Sequence, residues 1–335
     1  MSELYRIFGS ENSPYSVKVR AYYRYKGIAH EWILRTGATM EEYQKYARLP
    51  IVPAVATPED EGLQDSTPIL EEMERRFPEP AIQPTDPVLR FLAELIEEFG
   101  DEWANKWMFH YRWAREIDQK TVARRLVTEM MGPDASEENI ATMAEQIGAR
   151  MSGRGFAVGS NEKTSSLLED DFRAAIALLE AHLAERAWIF GSRPSLADLS
   201  LGAQIYEALI DPTAGAILRE QAPKTAAWSE RSLNPTAGGE YESAAALAPT
   251  LDPLLAGPVR FFLAWSNHNA KAIADGAEEF SFSLAGHDWW QTVGGPQKYH
   301  AKSLKVLKQK YAEVSKNTEL AAVLERDGLR ELLLR

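Results

Sequence analysis

Ser13-Pro14-Tyr15-Ser16 follows an apolar segment, Leu4 to Phe8, and opens a predicted helix through Val17, Val19 and Tyr22. A junction of this kind sets hydroxyls beside the free backbone N–H groups of a helix start, where the helix dipole favours negative charge. It suits an anionic sulfur or a carboxylate. The chain contains no cysteine, so thiol chemistry at this place has to be performed on a bound cofactor. Disulfides, thiolate metal sites and a protein cysteine nucleophile are excluded for the same reason. The tetrapeptide by itself reads first as a plain helix cap, since serine before proline starts many helices, and the two roles are compatible.

The 335 residues are enough for two domains, and 45% hydrophobic with 26% charged residues is an ordinary globular balance. A net charge of −12 argues against broad binding to nucleic acid or anionic membranes. The start, Met1 to Tyr5, lacks the pattern of a secretory signal, and no uninterrupted apolar run is long enough to span a bilayer. A cytoplasmic location is the expectation. The six histidines, His110, His268 and His287 among them, form no compact ligand spacing, so no metal is expected. Gly153 to Gly159 matches neither a phosphate-binding loop nor a dinucleotide fingerprint.

The elements that must position the serines follow from periodicity and punctuation. Leu4–Phe8 reads as a strand, Pro14–Lys26 as a helix ended by Gly27, and His30–Leu34 as a second strand. A short helix follows Thr39. After Pro50-Ile51-Val52-Pro53, short strands are predicted at Ala54–Thr57 and Leu63–Gln64, then a helix at Thr67–Arg76. This order, β-α-β-α-β-β-α, is a small α/β domain, and the proline-rich Phe77–Pro87 reads as a linker. Helices are predicted beyond it at Val88–Phe99, Glu102–Arg115, Thr121–Met131, Ser136–Met151 and Leu167–Ala184. Ser195 and Asp198 have capping-box spacing and read as structural. Asn234–Pro258 is expected to be a long irregular excursion, a lid or surface wrap, followed by helices at Val259–Ala274, Gln297–Val314 and Leu320–Leu334. Trp289-Trp290 is unassigned, since adjacent residues on a helix point in different directions.

Ser13-Pro14-Tyr15-Ser16, Val52-Pro53, Asp65-Ser66 and Ser195-Leu196-Ala197-Asp198 stand in an order that resembles the glutathione transferase family. The resemblance covers the first domain and about half of the remainder. It implies a thioredoxin-like domain at 1–80, a helical substrate domain at 88–335, and an added segment at 235–335. It further implies glutathione as the cofactor, with Ser13 as the hydroxyl on its sulfur and Ser16, the other position of the frame, as rival donor. A free thiol has a pKa near 8.5, and a hydroxyl donor with a positive helix end favours the thiolate. Pro53 corresponds to the family's cis-proline, placing the Val52 backbone against the cysteinyl part. Asp65 and Ser66 would take the γ-glutamyl ammonium and carboxylate, and Arg48 or Lys45 the glycyl carboxylate. Arg48-Leu49-Pro50-Ile51 lacks the glycine often found in this loop.

In this architecture the electrophile lies between the domains. Tyr15, Trp103, Trp107 and Tyr111 are its candidate contacts, the last three sharing one helix face. Core or dimer packing is the alternative for each, and Arg112 and Arg115 greet an anion or balance nearby acids. The expected function is a glutathione-dependent transferase or lyase whose thiolate attacks a hydrophobic or aromatic electrophile, by conjugation, ether cleavage or dehalogenation. The alternatives are a non-catalytic glutathione- or ligand-binding protein and a structural interaction protein of the same fold. A homodimer is expected from the resemblance.

Overall fold

Strand alternation explains the first layer. In β1 (Tyr5–Gly9) the adjacent Ile7 and Phe8 point to opposite faces of the sheet, and both are fully buried. In the computed structural model, which describes residues 4–335, β1 pairs in parallel with β2 (His30–Leu34) and antiparallel with β3 (Ala54–Ala56). β3 in turn pairs antiparallel with β4 (Gly62–Gln64), giving the order β2-β1-β3-β4. Residues 1–3, within the start read above as free of a secretory signal, lie outside the described residues.

On the Ile7 face lie α1 (Pro14–Lys26) and α3 (Ser66–Arg76), packing Val19, Tyr22, Tyr23, Ile69 and Met73 around Val55. On the Phe8 face lies α2 (Met40–Tyr46), through Tyr43 and Tyr46. This is a thioredoxin-like domain.

A large helical domain follows. α4 (Pro87–Phe99) runs through a π-helical segment, Gly100–Ala104, directly into α5 (Asn105–Ala114). Then come α6 (Glu116–Met131), α7 (Glu137–Ser152), α8 (Ser165–His182), α9 (Leu196–Leu209), α10 (Pro212–Gln221) and α11 (Pro223–Arg231). The buried α9 joins both domains, since Leu196 and Leu199 pack into the core of the first and Leu201 and Ile205 into that of the second. Its start is held by Asp198. That carboxylate accepts the Ser195 N–H and O–H, both at 2.8 Å, together with the Ile189 N–H and the Trp228 indole.

The segment after residue 235 differs from expectation. Instead of an irregular excursion it forms α12 (Ala244–Leu254), capped by Ser243 and extended by a second π segment, Leu255–Val259. Pro249 and Pro253 are exposed on the side away from the buried Leu247, Leu251 and Leu254, so the helix tolerates them without losing its apolar face. After α13 (Arg260–Ala274) comes an unanticipated hairpin, β5 (Glu279–Leu284) and β6 (His287–Thr292). Its two-residue turn, Ala285-Gly286, has φ of 53° and 83°, the left-handed pair such a turn requires. Trp289 and Trp290 therefore sit on a strand: Trp289 is buried, and Trp290 stacks under Lys163. α14 (Gly295–Val314) follows, and the predicted last helix is two, α15 (Thr318–Arg326) and α16 (Arg330–Leu334), broken at Gly328, whose φ is 70°. All of this segment shares one core with α4, α5 and α8.

Candidate functional site

Between the two domains, and closed on its outer side by α14, lies a cavity of about 790 Å³. The thioredoxin-like domain contributes Tyr15, Arg35, the loop Pro50–Pro53, and Asp65 to Pro68 at the start of α3. The continuous α4–α5 helix contributes Glu94, Glu97, Glu98, Asp101, Glu102 and Asn105, one face at helical spacing. α14 supplies Tyr299, His300, Lys302, Ser303 and Lys310 among others.

The loop before β3 is fixed by side chains rather than by a glycine. Gln64 accepts the N–H groups of Arg48 and Leu49 at 3.0 and 2.9 Å and donates to the carbonyls of Leu49 and Ile51 at 2.7 and 2.9 Å. The Tyr43 hydroxyl bonds the same two carbonyls. The Val52–Pro53 peptide is cis. Asp65, with φ of 79°, precedes α3 but makes no side-chain cap bond to it. Its carboxylate instead accepts the Tyr299 hydroxyl at 2.5 Å. The first-turn amides of α3 are thus left without a side-chain cap at the cavity wall.

At α1, Ser13 is the N-cap, and its Oγ accepts the Ser16 N–H at 3.3 Å. Among the described residues no acceptor takes the Ser13 hydroxyl proton. Neither Ser13 nor Ser16 borders the cavity. Ser13 is half-buried, whereas Ser16 is fully buried with its hydroxyl unpartnered, which separates the two candidates: Ser16 is shut off from solvent. Tyr15 does border the cavity, with its hydroxyl engaged, donating to the Asp101 carbonyl at 2.8 Å and accepting from Asn105 at 2.9 Å.

Beneath these groups Lys18 is buried and donates to Glu97 at 2.5 Å and Asp101 at 2.6 Å, a pairing that holds the ammonium charged against the pull of burial. Burial lifts both carboxyls. At Glu97 the Lys18 ammonium outweighs it and the carboxyl falls below its ordinary range, while Asp101 is pushed up to about 6. Glu98 is raised well above its ordinary value by burial and by its neighbours Glu102 and Glu97.

Several expectations are corrected. Trp103, Trp107 and Tyr111 are at most 1% exposed and do not border the cavity. Both indoles donate to the half-buried Asp171 carboxylate, at 2.7 and 2.8 Å, and Trp103 packs against Phe261, Trp265 and Trp289 of the added segment. The stripe faces core because that segment covers it. Arg48 is exposed and away from the cavity; the basic residues that border it are Arg35, Arg154, Lys302 and Lys310. Arg112 is buried against Glu207 and Asp211, both at 2.7 Å, and Arg115 pairs with Glu169. Sequence reasoning missed Gln64, Arg35 and all of the α14 contribution. For α14 the signal was present: Tyr299, His300, Ser303 and Lys310 recur at helical spacing on a helix that was foreseen.

Among the described residues no helix is long and apolar enough to cross a membrane. The sequence matches the glutathione S-transferase N-terminal domain over residues 7–81 and the C-terminal domain over residues 133–231, together just over half of the chain. No curated protein matches it. Similar solved structures include the beta-etherase LigF from Sphingobium sp. strain SYK-6, 22% identical with a TM-score of 0.49 over 68% of this chain and 93% of that one. Another is a glutathione S-transferase from Methylobacterium radiotolerans in complex with glutathione sulfonate, 20% identical, TM-score 0.40, over 72% and 99% of the two chains. A third, from Methylobacillus flagellatus with glutathione bound, is 19% identical with a TM-score of 0.40 over 68% and 96%. With both domain families matched in chain order on a thioredoxin-like domain followed by a helical one, this chain belongs to the glutathione S-transferase family.

Proposed function

We propose that the protein is a glutathione-dependent transferase or lyase, in which the tripeptide lies along the thioredoxin-like wall of the cavity and its thiolate attacks an electrophile held toward α14. The observation that carries this reading is the uncapped first turn of α3 beside Asp65, on the same wall as the cis Val52–Pro53 peptide. Free amides at a helix start suit the γ-glutamyl carboxylate, and Asp65 suits the ammonium. The Val52 main chain offers peptide hydrogen bonds to the cysteinyl residue, and Arg35 charge for the glycyl carboxylate. Ser13 lies outside the cavity lining but two residues from Tyr15 on its wall, and with its Oγ accepting from Ser16 it keeps its O–H proton to donate to a sulfur placed at the mouth of α1. A hydroxyl donor and the start of α1 both favour thiolate over thiol.

Calorimetric titration with glutathione, read together with the ultraviolet absorbance of bound thiolate, tests this. Binding is expected with a thiol pKa depressed below its free value. Ser13→Ala is expected to raise that pKa by about one unit, worth about 1.4 kcal/mol, and to change affinity much less. Absence of glutathione binding rejects the reading. Binding with an undisturbed thiol leaves a carrier in place of an enzyme.

A further inference from the structure

Glu98 and Glu102 lie on the cavity wall beyond the residues assigned to glutathione, and α14 meets both with side chains one turn apart. Ser303 Oγ donates to the two Glu98 oxygens at 2.5 and 2.6 Å. The Nδ1 of His300 lies against the Glu102 carboxylate. Both members of that pair are buried, 6% and 5% exposed, and both border the cavity. The Trp265 ring meets the imidazole edge-on, centroids 5.0 Å apart, and fixes its plane. With Nδ1 turned against the Glu102 carboxylate in an ion-pair contact, Nε2 is the ring nitrogen left for a ligand, and no protein group bonds it among the described residues. Glu102 itself stands in the π segment of the long helix, a distortion that recurs at functional sites.

We propose that Glu102 and His300 form a proton-transfer dyad for the second substrate, and that this substrate is an electrophile whose reacting bond is carbon–oxygen. The proposal rests on the glutathione-dependent reading above. As glutathione binds, the thiol acidified at the mouth of α1 gives its proton to His300 Nε2, and the resulting thiolate attacks carbon. The C–S bond forms while the C–O bond breaks, its electron pair going to oxygen, and the imidazolium returns the proton to that oxygen. Thiol and C–O compound become thioether and hydroxyl compound; nothing is oxidised or reduced, and no further reactant enters. A halide departs as a stable anion without a proton, whereas an alkoxide does not, so an acid–base pair in the cavity matters for oxygen and little for halide. Glu102 fixes the tautomer and steadies the imidazolium, the part a carboxylate plays behind a catalytic histidine.

The charged surroundings suit a base. Burial lowers the imidazole pKa below its ordinary value, Glu102 opposes this, and Lys106 from α5 adds to it. Glu98 stands beyond Ser303, Tyr299 and Lys302 flank His300 on its own helix, and α13 brings the Trp265 ring. The imidazole is therefore neutral at neutral pH, able to take a proton.

The test uses the full chain with glutathione and three probes: an aryl halide, an epoxide and an activated alkyl aryl ether. For His300→Gln the ratio of kcat/KM on the oxygen electrophiles to that on the halide is expected to fall at least about 100-fold, the lower end of the range for loss of a positioned acid–base group. Glu102→Gln should act in the same direction but less. The epoxide and ether arms tell ring opening from ether cleavage. In parallel, the His300 imidazole is followed by NMR titration, where Glu102→Gln should move its midpoint lower. An unchanged ratio, no wild-type turnover of either oxygen electrophile while the halide reacts, or an unmoved midpoint each overturns the proposal. Glutathione affinity, measured by calorimetry on every variant, reports separately on the cofactor site.

Discussion

Lys106 is fully buried, its ammonium makes no hydrogen bond among the described residues, and it sits 3.9 Å from the centre of the Trp265 ring. Burial lowers its pKa to about 7, Glu102 only partly opposing. Between pH 7 and about 10.5 the unfolded chain holds a proton here that the folded chain does not, so this residue makes stability fall as pH drops through that window and stay low beneath it. Lys106→Met should therefore be more stable than wild type at pH 6, by on the order of 1–4 kcal/mol, with the difference closing toward pH 10. Urea denaturation at the two pH values decides it; a wild type more stable than the variant at pH 6 shows that the cation–π contact outweighs desolvation. Asp171 offers a second reading of the same physics with opposite sign. Burial pushes its carboxyl up to about 6, so relative to Asp171→Asn the wild type should gain roughly 3 kcal/mol as pH falls from above 6 to below 4. A difference that does not vary with pH contradicts that assignment.

At the scale of elements, the junction of α4, the π segment and α5 decides what faces the cavity. Gly100 opens the π segment where α9 crosses: a Cβ there would come within 2.5 Å of Ser200 Oγ and 2.8 Å of the Leu201 nitrogen. Ser200 in turn donates to the Glu97 carbonyl and the Asp101 carboxylate, at 2.8 and 2.7 Å. Close approach, not backbone freedom, is the reason for glycine, since its φ is an ordinary −60°. Gly100→Ala should cost about 1–3 kcal/mol through overpacking and shift Glu97 and Asp101 along with the helix. Thermal unfolding within a degree of wild type would show that α9 gives way freely. Gln64 plays a comparable part on the opposite wall, tying two main-chain turns of the loop before β3 through four hydrogen bonds.

For the whole molecule, the consequence is that the thioredoxin-like wall and α14 are joined across the cavity by few direct ties, Tyr299 to Asp65 and Lys310 to Glu71. A ligand held between them links the thioredoxin-like domain to the added segment. Glutathione at about 100 times its dissociation constant should stabilise the fold by about 2.7 kcal/mol. Hydrogen-exchange protection should rise in α14 as well as at the start of α3. Protection confined to the thioredoxin-like domain would mean that α14 takes no part in the bound state.

Local signals made much of this chain legible. Pro14 with Gly27, the Ser195–Asp198 capping box and the short apolar segment Leu4–Phe8 act within a few residues of themselves, so the first strand, α1 and the start of α9 could be placed without a structure. The order of Val52-Pro53 and Asp65-Ser66 likewise located the wall they share. What an apolar stripe cannot specify is the partner that covers it. Trp103, Trp107 and Tyr111 announce a buried face, and only the tertiary structure decided that Phe261, Trp265 and Trp289 bury it. By the same reasoning His300 reads in the sequence as one more histidine. Its meeting with Glu102, nearly two hundred residues earlier in the chain, exists because α14 packs across α4 at the cavity. Short-range sterics and hydrogen bonding write themselves into adjacent residues, whereas the pairing of distant faces is settled by how the whole core packs.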